Sequence, residues 1–161
     1  MYCYISLGSN LGWREKNINK AIFYIETTVG IILETESFLY EEEFIGRAGN
    51  NIYNKVIKIK TIISPEVLLM EVKRIEKLLK REKKIRWSDR IIDIDLLDFN
   101  GWIFASKNLI LPHPRLHLRP AILQCICDIE KNWKHPVTGI SIDKYINKTG
   151  KNKIRKCKLN F

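Results

Sequence analysis

The stretch from Arg90 to Asn100, RIIDIDLLDFN, constrains the fold more than any other part of the chain. Most of its residues are β-branched or leucine, which predicts a strand. Side chains alternate between the two faces of a strand, so Asp93 and Asp95 share one face. The other face carries Ile92, Ile94 and Leu96. The sequence therefore predicts a sheet with one face in a core and two neighbouring carboxylates on the opposite face.

Two carboxylates at this spacing repel each other, and each raises the pKa of the other. A Mg²⁺ ion would remove that repulsion, because it prefers oxygen ligands and usually binds one or two carboxylates together with substrate phosphates. The alternative is a solvent-facing pair neutralised by Arg86 or Arg90. The segment from Lys80 to Arg90 is rich in lysine and arginine and contains Trp87. Acids that bind metal beside bases that bind phosphate are typical of phosphoryl transfer, and the indole could cover a flat heterocycle.

The remaining pattern alternates between strand and helix. Apolar periodicity predicts strands at 2–7, 31–40 and 52–63, helices at 13–28, 64–79, 121–129 and 141–147, a loop at 41–51 and a hairpin return at 102–104. This β-α-β, β-α-β order is typical of an α+β fold with an antiparallel, ferredoxin-like sheet. The 161 residues are enough for one domain, 1–161, which we expect to end in a solvated basic tail from about residue 148.

Composition narrows the classes of partner. There are 28 Lys and Arg residues against 18 Asp and Glu, and the net charge of +10 favours polyanions. The apolar runs are shorter than the ~20 residues of a membrane span, and no basic leader precedes the first strand. We expect a cytoplasmic protein with no membrane partner, a monomer rather than an oligomer. Its four cysteines are expected to be reduced: Cys3, Cys125, Cys127 and Cys157.

Three motifs occur in a fixed order: GSNLG after the first strand, RWSDRIIDIDLLDF in the middle, and LPHPRLHLRP after it. Together they resemble the 6-hydroxymethyl-7,8-dihydropterin pyrophosphokinase family of folate biosynthesis, over the chain from Tyr2 to about Ile129. The resemblance implies a three-layer α-β-α fold on a ferredoxin-like core. It implies transfer of the terminal diphosphate of ATP, the co-substrate, to the hydroxymethyl group of the pterin, with release of AMP.

The resemblance also implies roles for residues at matching positions. Asp93 and Asp95 would bind two Mg²⁺ ions, and Arg86 and Arg90 would complete the catalytic set. The implied nucleotide contacts are Lys73, Glu76, Arg86, Trp87, Arg90, His113 and Arg119. The implied pterin contacts are Ile45, Gly46, Ile52, Asn54, Trp87 and Ala121.

The chain departs from the family pattern in the pterin half. The family's T-x-P would fall at Glu42–Phe44, which reads EEF, and the two aromatics that sandwich the pterin would fall at Ile52 and Ala121. Tyr53 is one position away and is expected to face the opposite side of its strand. Lys73 replaces a family glutamine. We therefore expect weaker pterin binding than in relatives that have both aromatics.

Three other readings stay open at this point. A basic ferredoxin-like module could bind RNA, but the corresponding strand would then need exposed aromatics where Asp93 and Asp95 stand, which argues against a nucleic-acid partner. Another two-metal nucleotidyl-transfer enzyme would also pair strand carboxylates, and a degenerate homologue would bind nucleotide without turnover. His113 and His117 have a zinc-like spacing, but the flanking prolines oppose a helix and no third ligand is evident.

Overall fold

The computed structural model describes residues 1–43, 50–79, 89–149 and 154–157. The strands in chain order are β1 (Tyr2–Ser9), β2 (Ile31–Glu36), β3 (Tyr40–Glu42), β4 (Ile52–Thr61), β5 (Asp93–Phe99), β6 (Phe104–Ala105), β7 (Ile110–Leu111) and β8 (Ile154–Lys156). The helices are α1 (Arg14–Glu26), α2 (Pro65–Leu78), α3 (Pro120–Ile129) and α4 (Ile142–Thr149), with a 3₁₀ turn at Leu116–Leu118.

The main sheet has six antiparallel strands. Its order is β5-β1-β4-β3-β8, and β2 pairs with the other end of β4. Helices α1 and α2 bury their apolar stripes on one face, in a cluster that contains Ile18, Ile75 and Ile94. Helices α3 and α4 cover part of the opposite face, in a cluster that contains Leu97 and Ile126. This arrangement confirms the predicted α+β fold in three layers.

Strand β5 follows its predicted alternation. Ile92, Ile94 and Leu96 are buried toward α1 and α2, while Asp93 and Asp95 lie partly exposed on the face toward α3. A turn follows the strand at Asn100 and Gly101, which both have positive φ, and glycine adopts that conformation without a Cβ penalty. The alternation of side chains along the strand is thus enough to predict which face packs against α1 and α2 and which face carries the two carboxylates.

The structure corrects the prediction of one strand from 31 to 40. Strand β2 ends at Glu36, and the chain leaves the ladder at Ser37, whose Oγ accepts a hydrogen bond from the Val56 N–H at 3.0 Å. It rejoins β4 as β3, so the predicted loop at 41–51 begins as strand. Glu41 is buried there and forms ion pairs with Arg14 and Arg155.

Two further predictions differ from the structure. The residues after β5 do not pair back onto it as a hairpin at 102–104; β6 pairs with β7 in a separate two-stranded sheet. Within the predicted basic tail, Ile154–Lys156 forms β8 and pairs with β3. Three residues are too few for a periodic strand signal, and two of the three residues of its partner β3 belong to the predicted loop at 41–51. In the described residues no helix is long and apolar enough to cross a membrane.

Candidate active site

The paired carboxylates lie on β5, at one edge of the sheet and beside β1. Asp93 is opposite Gly8 and Asp95 is opposite Ser6 in the antiparallel pairing of β5 with β1. Each carboxylate binds a guanidinium: Asp93 is paired with Arg90, and Asp95 accepts a hydrogen bond from Arg119 at 3.2 Å. The two guanidinium groups therefore neutralise the two carboxylates, which would otherwise repel each other on one face of the strand.

The surroundings of Asp95 are strongly positive. Its burial acts to raise the pKa of the carboxyl, but Arg119, Lys73 and His113 outweigh this and hold the pKa below its usual range. Asp95 is consequently an anion at neutral pH. Arg119 and Lys73 would also be available to phosphate oxygens that approach the carboxylate.

Arg90 is positioned by the first sequence motif, GSNLG. The Asn10 side chain accepts a hydrogen bond from the Arg90 N–H at 2.6 Å, and the Asn10 N–H donates to the Arg90 carbonyl at 3.1 Å. The Asn10 amide also donates to Asp89 at 2.7 Å. Asn10 is buried and joins the end of β1 to the residues that lead into β5. Sequence reasoning missed this residue; its signal was its place in a motif interpreted only as a turn.

Lys73 and Glu76 of α2 bind the main chain of β5 between the two aspartates. Glu76 Oε1 accepts a hydrogen bond from the Ile94 N–H at 2.7 Å, and Lys73 donates to the Ile94 carbonyl at 2.9 Å and to Glu76 at 3.0 Å. Since β5 is an edge strand in the described part of the chain, these bonds satisfy outward-facing groups that have no strand partner there. The predicted nucleotide contacts of both residues stay predictions; their observed role is to support β5.

His113 faces the same charges from the LPHPR loop. Its N–H donates to the Leu97 carbonyl at 2.8 Å, and its Nδ1 accepts from the Arg115 N–H at 3.2 Å. Burial lowers the pKa of His113, an effect that the nearby Asp95 opposes. With Nδ1 engaged as an acceptor, the neutral ring carries its proton on Nε2, which can donate to a ligand.

The described pterin-contact candidates lie on the same face of the sheet. Asn54 pairs with Gly8, so it stands directly across β1 from Asp93. It is buried, and its amide donates to Glu42 at 3.3 Å. Ile52 pairs with Glu42, and Ala121 is buried in the first turn of α3. Tyr53 instead packs toward the α1 side, where the Arg14 guanidinium stacks 3.8 Å above its ring, so it does not replace the missing aromatic.

Asp93 and Asp95 fit Mg²⁺ as ligands, but substrate phosphates would have to complete the coordination of the ion. Two hard carboxylates project from one strand, but the described residues contain no group of three or more His, Cys, Asp or Glu side chains that could hold a metal. A two-carboxylate site completed by substrate phosphates is the usual arrangement for Mg²⁺. Ile45, Gly46, Arg86 and Trp87, which were predicted to be site residues, lie outside the described residues.

A concave surface lies on the α1 side of the sheet, away from the candidate active site. It has a volume of about 900 Å³ and includes Trp13, Phe23 and Tyr53 among its lining residues. It contains none of the predicted site residues. Its position separates it from the carboxylate face by the thickness of the sheet.

Comparison with known proteins identifies the family of this chain. The sequence model of the 7,8-dihydro-6-hydroxymethylpterin-pyrophosphokinase (HPPK) family matches residues 4–131. The chain belongs to the HPPK family. This confirms the resemblance on which the site residues were predicted, and it places the three motifs inside the matched region.

Two similar proteins carry the HPPK activity in their names. The 2-amino-4-hydroxy-6-hydroxymethyldihydropteridine pyrophosphokinase of Aquifex aeolicus is 37% identical over 135 residues, which cover 83% of this chain and 83% of that protein. The protein of the same name from Bacillus subtilis is 31% identical over 141 residues, with 87% and 84% covered.

Other HPPK relatives are longer. The folic acid synthesis protein fol1 of Pneumocystis carinii is 42% identical over 146 residues, 90% of this chain but only 20% of that protein. The crystal structure of wild-type Plasmodium falciparum HPPK-DHPS with pteroate has a TM-score of 0.72 and 18% identity, and covers 91% of this chain and 44% of that one. The chain thus spans a fifth to a half of these longer relatives, and the structural likeness supports the fold.

Proposed function

We propose that this chain transfers diphosphate from ATP to the hydroxymethyl oxygen of 6-hydroxymethyl-7,8-dihydropterin and releases AMP. The observation that carries this proposal is the placement of Asp93 and Asp95 on one face, surrounded by Arg90, Arg119 and Lys73. In the reaction, the hydroxymethyl oxygen bonds to the β-phosphorus and the bond from that phosphorus to the α–β bridging oxygen breaks. The hydroxyl proton is released to solvent.

In this proposal the aspartates bind the metal and the arginines bind the phosphates of ATP. Asp93 and Asp95 would hold Mg²⁺, whose chemistry when bound is to neutralise phosphate charge. Arg90 and Arg119 are paired with these carboxylates in the structure, so they can turn to phosphate oxygens once a cation takes their place. The His113 Nε2–H adds a neutral donor on the same side. Stabilisation by fixed charges and donors requires no strong base.

The predicted second substrate site lies next to the first. Asn54 is separated from Asp93 by Gly8, and glycine leaves the face of β1 between them without a side chain. A pterin held at Asn54 would thereby have its hydroxymethyl group directed along the sheet toward the carboxylates. The roles of Ile45, Gly46, Arg86 and Trp87 stay predictions from the family resemblance.

The test is product analysis with the purified chain, Mg·ATP and 6-hydroxymethyl-7,8-dihydropterin. We expect AMP and the pterin diphosphate in equal amounts, both absent when Mg²⁺ is removed with a chelator and restored when it is returned. Release of pyrophosphate instead of AMP would favour nucleotidyl transfer. Tight, salt-sensitive RNA binding without Mg²⁺ would favour the nucleic-acid module. Either result without AMP would reject the proposal, and so would no product at all.

The cytoplasmic location and the monomeric state remain predictions of the sequence. Both substrates are small polar molecules, and a basic surface favours an anionic one. Gel filtration at two protein concentrations tests the monomer.

A further inference from the structure

Glu42 lies among the described pterin candidates, at the position where the family has the threonine of its T-x-P motif. It pairs with Ile52 across the β3–β4 ladder, accepts a hydrogen bond from Asn54 at 3.3 Å, and is hydrogen-bonded to the main chain of Ala121. Ile52, Asn54 and Ala121 are therefore all neighbours of one carboxyl group.

The carboxyl group of Glu42 is partly buried, and its neighbours offset only part of the effect of burial on its charged form. Burial raises the pKa of Glu42 above its usual value, although Arg119, the Ala121 main chain and Asn54 all act to lower it. A carboxylate offers about four acceptor sites. Asn54 and Ala121 use two, which leaves capacity for about two further donors. A partly buried acceptor of this kind gains most from a ligand that presents parallel N–H groups.

A pterin has such an edge. Its 2-amino group and its ring N3–H point in the same direction, and together they match the two oxygens of a carboxylate. We propose that Glu42 is a specificity-determining residue that accepts hydrogen bonds from this donor edge of the pterin. The inference rests on the proposed function and deepens it, because it names the group that recognises the second substrate.

This role would compensate for the absence of the two aromatic residues that stack on the pterin in other family members. Ile52 and Ala121 offer less stacking area than two aromatic rings, so the ring faces contribute less to affinity than in relatives that keep them. A charge-assisted pair of hydrogen bonds to the ring edge would offset that loss and would select pterins over pteridines without the 2-amino group. Affinity then depends on the edge of the ring more than on its faces.

The test is calorimetric titration in the presence of Mg²⁺ and a non-hydrolysable ATP analogue. The two probes are 6-hydroxymethylpterin and the same pteridine with hydrogen in place of the 2-amino group. For the unmodified chain we expect the second probe to bind about 10- to 100-fold more weakly. For Glu42→Gln we expect 6-hydroxymethylpterin to bind about 10- to 100-fold more weakly, and the difference between the two probes to shrink to about 3-fold or less.

Glu41→Gln is the matched control, because it removes the same charge from the adjacent position and the opposite face of β3. We expect it to bind both probes like the unmodified chain. A thermal melt of each variant checks folding. The role of Glu42 is overturned if Glu42→Gln keeps its affinity, if Glu41→Gln loses as much, or if the unmodified chain binds both probes equally.

The proposed function is judged separately, by the AMP assay on the unmodified chain. AMP production with no probe discrimination rejects only the role of Glu42. Probe discrimination without AMP production rejects the transfer reaction and leaves a pterin-binding site that Glu42 helps to form. Should Glu42→Gln fail to fold, Glu42→Asp replaces it, because it keeps the charge but withdraws the carboxylate by one methylene; a difference between the two probes as large as in the unmodified chain would overturn the role of Glu42.

Discussion

At the level of single residues, Asp95 is the side chain whose charge we expect to matter most for turnover. It is held as an anion by Arg119, Lys73 and His113, and it faces the same side as Asp93. Asp95→Asn keeps the shape and one acceptor but removes the charge. We expect AMP production to fall by about 100- to 1,000-fold, because preorganised charge at the reacting phosphates contributes on this scale.

Asp143→Asn is the control for this change, since Asp143 is exposed in the first turn of α4. It should keep full activity. Circular dichroism and a thermal melt should show both variants folded. Turnover by Asp95→Asn within a few-fold of the unmodified chain would remove the proposed role of the carboxylate pair.

The residue scale also shows where a sequence is informative. Two acids on one strand face follow from period-2 alternation, and no packing detail is needed to see them. Asn10 and Glu42 act through partners that are far away in the sequence, namely Asp89, Arg90 and Asn54. Hydrogen bonds at such separations leave no local pattern. Both residues were therefore described by their turn or by their departure from a motif instead of by their contacts.

At the scale of elements, the contact between α2 and β5 sets the position of the aspartates. Glu76→Ala would leave the Ile94 N–H without its acceptor and would remove a partner of Lys73. We expect the free energy of unfolding to fall by about 1–3 kcal/mol, the cost of an unsatisfied buried group bonded to a charge. Urea unfolding measures it, with an unchanged m-value as the sign of a simple loss of stability.

Glu71→Ala is the matched variant on the same helix, because Glu71 pairs with the exposed Arg74 at 2.9 Å. Surface ion pairs of this kind contribute about 0–1 kcal/mol. Equal effects of the two changes would mean that the bond to Ile94 is not a special support of β5. A selective loss of ATP affinity in Glu76→Ala, with stability intact, would instead favour the predicted nucleotide contact.

Elements with strong periodicity were predictable, and short ones were not. Helix α2 begins at Pro65 and buries Leu68, Val72 and Ile75, as its apolar spacing indicated. Strands β3 and β8 have three residues each, and β8 pairs with β3, which in turn pairs with β4. Strands this short carry no periodic signal, so their pairing is a property of the folded sheet and not of either segment.

At the scale of the whole molecule, the buried His135 and the partly buried His113 link stability to pH. Burial lowers the pKa of His113 and of His135, and His117 lowers the pKa of His135 further while Asp98 opposes this. The unfolded chain, with its histidines at about 6.5, therefore binds more protons than the folded chain between the lowered pKa values and about pH 6.5. Stability is fully present above about pH 6.5 and is lost progressively as the pH falls toward the folded pKa values.

His135→Asn tests how much His135 contributes to this pH dependence. The centroid of its ring lies 5.8 Å from that of Trp133 and 5.9 Å from that of Tyr145. Asparagine can still accept the Val137 N–H that His135 Nδ1 accepts, so the turn is preserved while the titrating group is removed. We expect the melting temperature of the unmodified chain to fall between about pH 7.5 and pH 5.5, and the variant to fall less steeply over that range. Parallel curves for the two proteins would mean that His135 makes no contribution, and a rise in melting temperature on acidification would contradict the sign for both histidines.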